Sequence, residues 1–109
     1  MKVEVVYFDG CPNWHTARDR LHEALTAVGR SDIAVRLRQV ATIDDAEATA
    51  FTGSPTVLID GVDPFAESGA VVGLSCRVYR TSDGAEGSPT VAQLVAALRH
   101  AGARSGAPQ

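Results

Sequence analysis

From Lys2 to Phe8 (KVEVVYF) the apolar positions run almost without a break from Val3 onward, which suits a central strand buried on both faces. A Gly10-Cys11 turn follows. Pro12 is acceptable in a first helical turn, and Trp14, Ala17, Leu21, Ala24, Leu25 and Val28 then recur at three- and four-residue steps, predicting an amphipathic helix that ends at Gly29. His15, Arg18, Asp19, His22 and Glu23 fill its opposite, solvated face. Ile33, Val35 and Leu37 alternate with Ala34, Arg36 and Arg38, the period of a strand with one wet face, placed at a sheet edge. Thr42 followed by Asp44 and Asp45 predicts a capped short helix running through Ala50 or Phe51 and stopped by Gly53.

The second half is more broken. Thr56 to Asp60 (TVLID), introduced by Gly53-Ser54-Pro55, and Arg77 to Thr81 (RVYRT), ended by Ser82-Asp83-Gly84, read as two further strands. The connection from Gly61 to Ser75 is too long to be structureless in a compact domain, so an ordered loop with a capping or functional role is expected. Val91, Leu94, Val95 and Leu98 predict a last amphipathic helix, capped at Ser88 or Thr90, with Gln93 placed to complete a capping box with Thr90. Residues 1–101 then make one domain, and the small-residue stretch 102–109 a flexible tail. Gly-Ser-Pro-Thr occurs at 53–56 and again at 87–90. Before a strand its proline is a candidate cis peptide, whereas before a helix it fits the first helical position.

Composition narrows the function classes. The 109 residues, 45% hydrophobic, suffice for a two-layer core without staples. A net charge of −3 with scattered arginines argues against a nucleic-acid surface. No stretch approaches the roughly 18 apolar residues of a spanning helix, and the chain starts on a charged, strand-like segment instead of a signal peptide, so no membrane partner and a cytoplasmic location are expected. Two cysteines, Cys11 and Cys76, are too few for a disulfide framework and in a reducing compartment point to reactivity.

Cys11 stands where a strand gives way to a helix. The free amides and dipole of a helix start favour a thiolate over a thiol, which makes Cys11 the candidate nucleophile. His15, four residues on, is a candidate acid or base, or else an exposed helix histidine. Asp9 is either a modulator of the thiol or a plain Asp-Gly turn residue. Cys76 is either a resolving thiol or a half-buried strand cysteine. If the strand from Thr56 runs away from Cys11 at about 3.3 Å per residue, its far end lies roughly 13 Å off, and the next strand begins there. A disulfide needs Cα atoms within about 7 Å, so pairing would require the 61–75 loop to fold back over the site. Cys11, His15 and His22 fall short of the roughly four ligands of a closed metal site, and no metal or other cofactor is expected.

The order of elements, with a reactive cysteine after the first strand and a proline opening the third, resembles the thioredoxin and glutaredoxin superfamily over roughly residues 2–100. The resemblance implies an α/β fold with a four-stranded mixed sheet in the order 2-1-3-4 and three helices spread over both faces. It also implies that Cys11 is the active-site cysteine and that Ser54-Pro55 is the cis-proline pair facing it, with the backbone of Ser54 presented to an extended thiol ligand. Cys11-Pro12-Asn13-Trp14 departs from the dithiol pattern, because Trp14 stands where those members carry a second cysteine. YFDGCPNW with GSPT and CRVYR is similar, more narrowly, to small bacterial thioredoxin-like proteins, some with selenocysteine in place of the cysteine and some labelled alkylmercury lyase.

The reading is therefore a monothiol thiol–disulfide oxidoreductase in which Cys11 attacks a disulfide or peroxide. A low-molecular-weight thiol or Cys76 resolves the adduct, while Pro12, Trp14, Ser54 and Pro55 contact the thiol or protein-disulfide partner. The alternatives are a non-catalytic binding module on the same scaffold and a thiophilic metal or organomercurial binder. Oligomeric state is not legible.

Overall fold

A computed structural model describes residues 1–49, 51–67 and 70–106. The elements in chain order are β1 (Val3–Tyr7), α1 (Trp14–Ala27), β2 (Val35–Gln39), α2 (Ile43–Thr49), β3 (Thr56–Ile59), β4 (Tyr79–Thr81), β5 (Gly84–Glu86) and α3 (Val91–Gly106). β1 lies in the middle of a three-stranded mixed sheet ordered β2-β1-β3. It pairs parallel with β2, Val3 opposite Val35, and antiparallel with β3, Val3 opposite Ile59. The apolar run from Val3 thus reflects burial on two faces, as its lack of alternation predicts.

The two faces build two separate cores. Val3 and Val5 point with Val57 and Ile59 into a cluster shared with Leu21 and Leu25 of α1 and Leu94 and Leu98 of α3. Val6 points the other way, to Val40, Ala46 of α2 and Phe51. Leu21 is fully buried, and its side chain contributes about 2 kcal/mol by leaving water.

Helix ends follow the sequence closely. The Thr42 hydroxyl accepts the Asp45 N–H at 3.1 Å, and the Asp45 carboxylate accepts the Ala41 N–H at 3.2 Å. At α3, Thr90 and Gln93 form the reciprocal box: Gln93 N–H to Thr90 Oγ1 at 3.1 Å and Thr90 N–H to Gln93 Oε1 at 2.9 Å. Ala50, one of the two residues expected to end the short helix, lies outside the described residues. α3 continues to Gly106, through much of the stretch expected to be a tail, and residues 107–109 lie outside the described residues.

The expected fourth strand does not join the sheet. Tyr79–Thr81 pairs instead with Gly84–Glu86, Thr81 opposite Gly84, in a separate two-stranded hairpin. Ser82-Asp83, read as the end of a strand, is the two-residue turn of that hairpin, with Gly84 following at a φ of 106°. The sheet order 2-1-3-4 is therefore corrected to 2-1-3 with a detached hairpin. The returning chain pairs with the start of β3 through an isolated parallel bridge between Ser54 and Cys76.

Candidate functional site

Cys11 and Cys76 are joined by a disulfide, with Cα atoms 5.7 Å apart. The separation expected from a fourth strand beginning at the far end of the third is wrong, and its error lies in Asp60-Gly61. Both residues have positive φ, 53° and 80°, as the two centres of a type I′ hairpin turn require. Ile59 N–H donates to Val62 O at 2.9 Å, and Val62 N–H donates back to Ile59 O at 3.0 Å. The chain therefore doubles back immediately after β3. Segment 75–77 arrives beside Ser54, at the near end of β3, running parallel and not antiparallel. Asp-Gly flanked by apolar residues is a recognised hairpin signal, and it is the sequence feature that points to this reversal.

Backbone and side-chain contacts together hold the returning segment. Ser54 N–H donates to Ser75 O at 2.7 Å, and Arg77 N–H donates to Ser54 O at 2.8 Å. The backbone of residue 54, expected to face an extended ligand, is thus engaged on both sides by the chain's own residues. The Arg77 guanidinium donates to both Asp63 oxygens, at 2.6 and 3.4 Å, to Thr56 Oγ1 at 3.4 Å, and to the Phe65 carbonyl. Both partners of this ion pair are largely shielded, with side chains 8% and 18% exposed, so the bidentate geometry is reinforced by a lowered local dielectric. Tyr79 donates its hydroxyl to Pro55 O, packs perpendicular to the Phe65 ring with centroids 5.5 Å apart, and lies under the Arg77 guanidinium at 4.8 Å. Burial pushes the Tyr79 phenol well above its ordinary pKa, with nearby Asp63 adding to the rise against the opposing charge of Arg77. Gly53 has a φ of 139°, and a Cβ there would lie 2.9 Å from the Arg77 Cβ, so this crossing of the two segments needs glycine.

The two sulfurs have unlike surroundings. Cys11 is fully buried, while Cys76 is exposed. Cys11 Sγ lies 3.5 Å from Ser54 O; bonded to Cys76, it has no proton to donate, and the approach is a packing contact. Ser54 is itself fully buried, and among the described residues its hydroxyl has no hydrogen-bond partner. The Ser54-Pro55 peptide is cis.

The remaining expected site residues scatter. Cys11 sits in a turn closed by its own N–H to Phe8 O at 3.2 Å, ahead of the α1 cap at Asn13. Pro12 is exposed and lies between this turn and the Asn13 cap, its carbonyl accepting the His15 N–H at 3.3 Å at the entry to α1. The helix-start argument for an activated thiolate thus acts from further away than the sequence implies. Trp14 is half-buried in a pile of rings, 4.3 Å from Tyr7 and 3.7 Å from His15, with Arg18 at 5.4 Å. The exposed His15 ring stacks on Trp14.

Beside Cys76 opens a cleft of about 330 Å³, bordered by Thr52, Glu67, Ala70, Val71 and Val78. Residues 68 and 69 of the 61–75 connection lie outside the described residues. Among the described residues no group of three or more His, Cys, Asp or Glu is placed to hold a metal ion, and no helix is long and apolar enough to cross a membrane. No family model, curated protein or solved structure matches the chain.

Proposed function

We propose that this chain is a thioredoxin-like thiol–disulfide oxidoreductase whose working pair is Cys11 and Cys76. The observation that carries the reading is the pairing itself: a cysteine following the central strand is bonded to one 65 positions away, held in place by its neighbours Ser75 and Arg77 through the Ser54 backbone. The mixed β2-β1-β3 sheet with helices on both faces supports the superfamily resemblance, and Cys76 supplies the second sulfur that Trp14 withholds from the Cys-x-x-Cys position. In the reduced state Cys11 is the nucleophile toward a disulfide that has been formed on Cys76. A low-molecular-weight thiol closes the cycle.

Equilibration of native protein in glutathione redox buffers tests this, with thiol alkylation and Trp14 fluorescence followed together. The expected result is release of both thiols while the fluorescence stays native, and reduction of bis(2-hydroxyethyl) disulfide by the reduced protein. Reduction that occurs only together with unfolding would make the bond a structural staple.

A further inference from the structure

The two ends of the disulfide are not equivalent targets, and their asymmetry sets the order of bond exchange. A thiolate attacks a disulfide sulfur from the side opposite the departing one, so the attacked sulfur must be open to solvent. Cys11 is 0% exposed and backed by Ser54. The route to it along the Ser54 backbone is filled, since Ser75 and Arg77 take the Ser54 N–H and carbonyl. Cys76 is exposed and borders the 330 Å³ cleft, which is at the lower end of the range for small-molecule sites. The Arg77 guanidinium next to it is committed to Asp63, so the ionisable group the cleft offers is the exposed carboxylate of Glu67.

We infer that an external small thiol exchanges at Cys76, and that Cys11 is the buried partner that departs and returns. This rests on the redox reading of the pair. In the reductive direction the thiolate RS⁻ bonds to Cys76 Sγ, the Cys11–Cys76 bond breaks, and its electron pair leaves on Cys11 Sγ, which takes up a proton from solvent. A second RS⁻ attacks the R sulfur of the Cys76–S–S–R adduct, releasing RSSR and the Cys76 thiolate. The two electrons that reduce the protein disulfide come from the two thiols that become RSSR. In reverse, Cys11 thiolate attacks Cys76 Sγ of the mixed disulfide and expels RS⁻. The usual assignment, in which the cysteine after the first strand meets the substrate, is inverted: Cys76 is the substrate-facing sulfur and Cys11 the internal one.

The test uses native oxidised protein and limiting 2-mercaptoethanol. Samples are quenched in acid and denaturant at the earliest time points, free thiols are alkylated, and the mercaptoethanol adduct is mapped to a peptide by mass spectrometry. The expected adduct is on Cys76, with alkylated Cys11, by roughly tenfold or more over the opposite arrangement. Adduct on Cys11, or an even distribution, overturns the inference while leaving the redox reading intact. No adduct on folded protein overturns both. A second measurement uses Cys11→Ser, in which Cys76 is expected to form a persistent mixed disulfide with bis(2-hydroxyethyl) disulfide while the fold, followed by Trp14 fluorescence, stays native; failure to form it on folded protein overturns the inference.

Discussion

Opening the Cys11–Cys76 bond should change stability by an amount that the topology sets. The cross-link closes a loop spanning 65 positions. In the chain-entropy description such a loop restricts the unfolded chain by roughly 14 to 15 cal/mol/K, about 4 kcal/mol at room temperature. A domain of this size is stable by only about 5–15 kcal/mol, so reduction should leave it folded but far closer to the threshold. Urea unfolding followed by Trp14 fluorescence, with and without dithiothreitol, reads the change. With a slope of about 1.5 kcal/mol per molar, the midpoint should fall by roughly 3 M. The thermodynamic cycle adds an independent number, because whatever the bond contributes to the fold, the fold contributes to the bond. About 4 kcal/mol corresponds to a reduction potential roughly 90 mV more negative in the folded chain than in the unfolded one. Coincident urea curves for fully oxidised and fully reduced protein would refute the reasoning, since they would mean that the loop is not constrained by the bond.

Arg77→Met should cost about 3 kcal/mol in urea unfolding, because it strands the shielded Asp63 carboxylate, and adding Asp63→Asn should recover part of that loss. Ser54→Ala should leave stability unchanged or raise it by up to about 1 kcal/mol, since the hydroxyl it removes is buried without a partner among the described residues; a loss above roughly 1 kcal/mol would contradict that placement. Tyr79 has a raised pKa in the fold, so its contribution is intact below its ordinary pKa of 10.0 and is lost as pH rises beyond it. Tyr79→Phe should therefore flatten the alkaline fall in urea midpoint, at a cost near neutrality of about 1 kcal/mol for the lost hydrogen bond to Pro55 O.

Where local physics decided the structure, the sequence was a sufficient guide. The uninterrupted apolar run of β1, the three- and four-step pattern of α1 and the Thr90/Gln93 box each depend on residues within a turn or two of one another. The placement of Cys76 depended on how the chain leaves β3, and there Asp60-Gly61 carried the answer in two residues. Reading Gly61 as the opening of a long loop, and Ser82-Asp83 as the end of a strand, put an antiparallel fourth strand where two hairpins stand. The exposure of Cys76 and the burial of Cys11 were beyond periodicity altogether. They arise from the Arg77–Asp63 pair and the Gly53 crossing, which join residues far apart in sequence.

In covalent terms the oxidised molecule is a ring with two tails. The ring runs from Cys11 to Cys76 and contains α1, β2, α2 and β3; the first tail carries β1, and the second carries the hairpin and α3. β2 and β3 are not neighbours in the sheet: β1, the strand between them, belongs to a tail. The cross-link therefore encloses the two edges of the sheet but neither its centre nor the helix whose Leu94 and Leu98 pack with Val3 and Val5. Removing the first ten residues should abolish the fold whatever the redox state, since a closed ring without β1 has nothing to bring its two edge strands together.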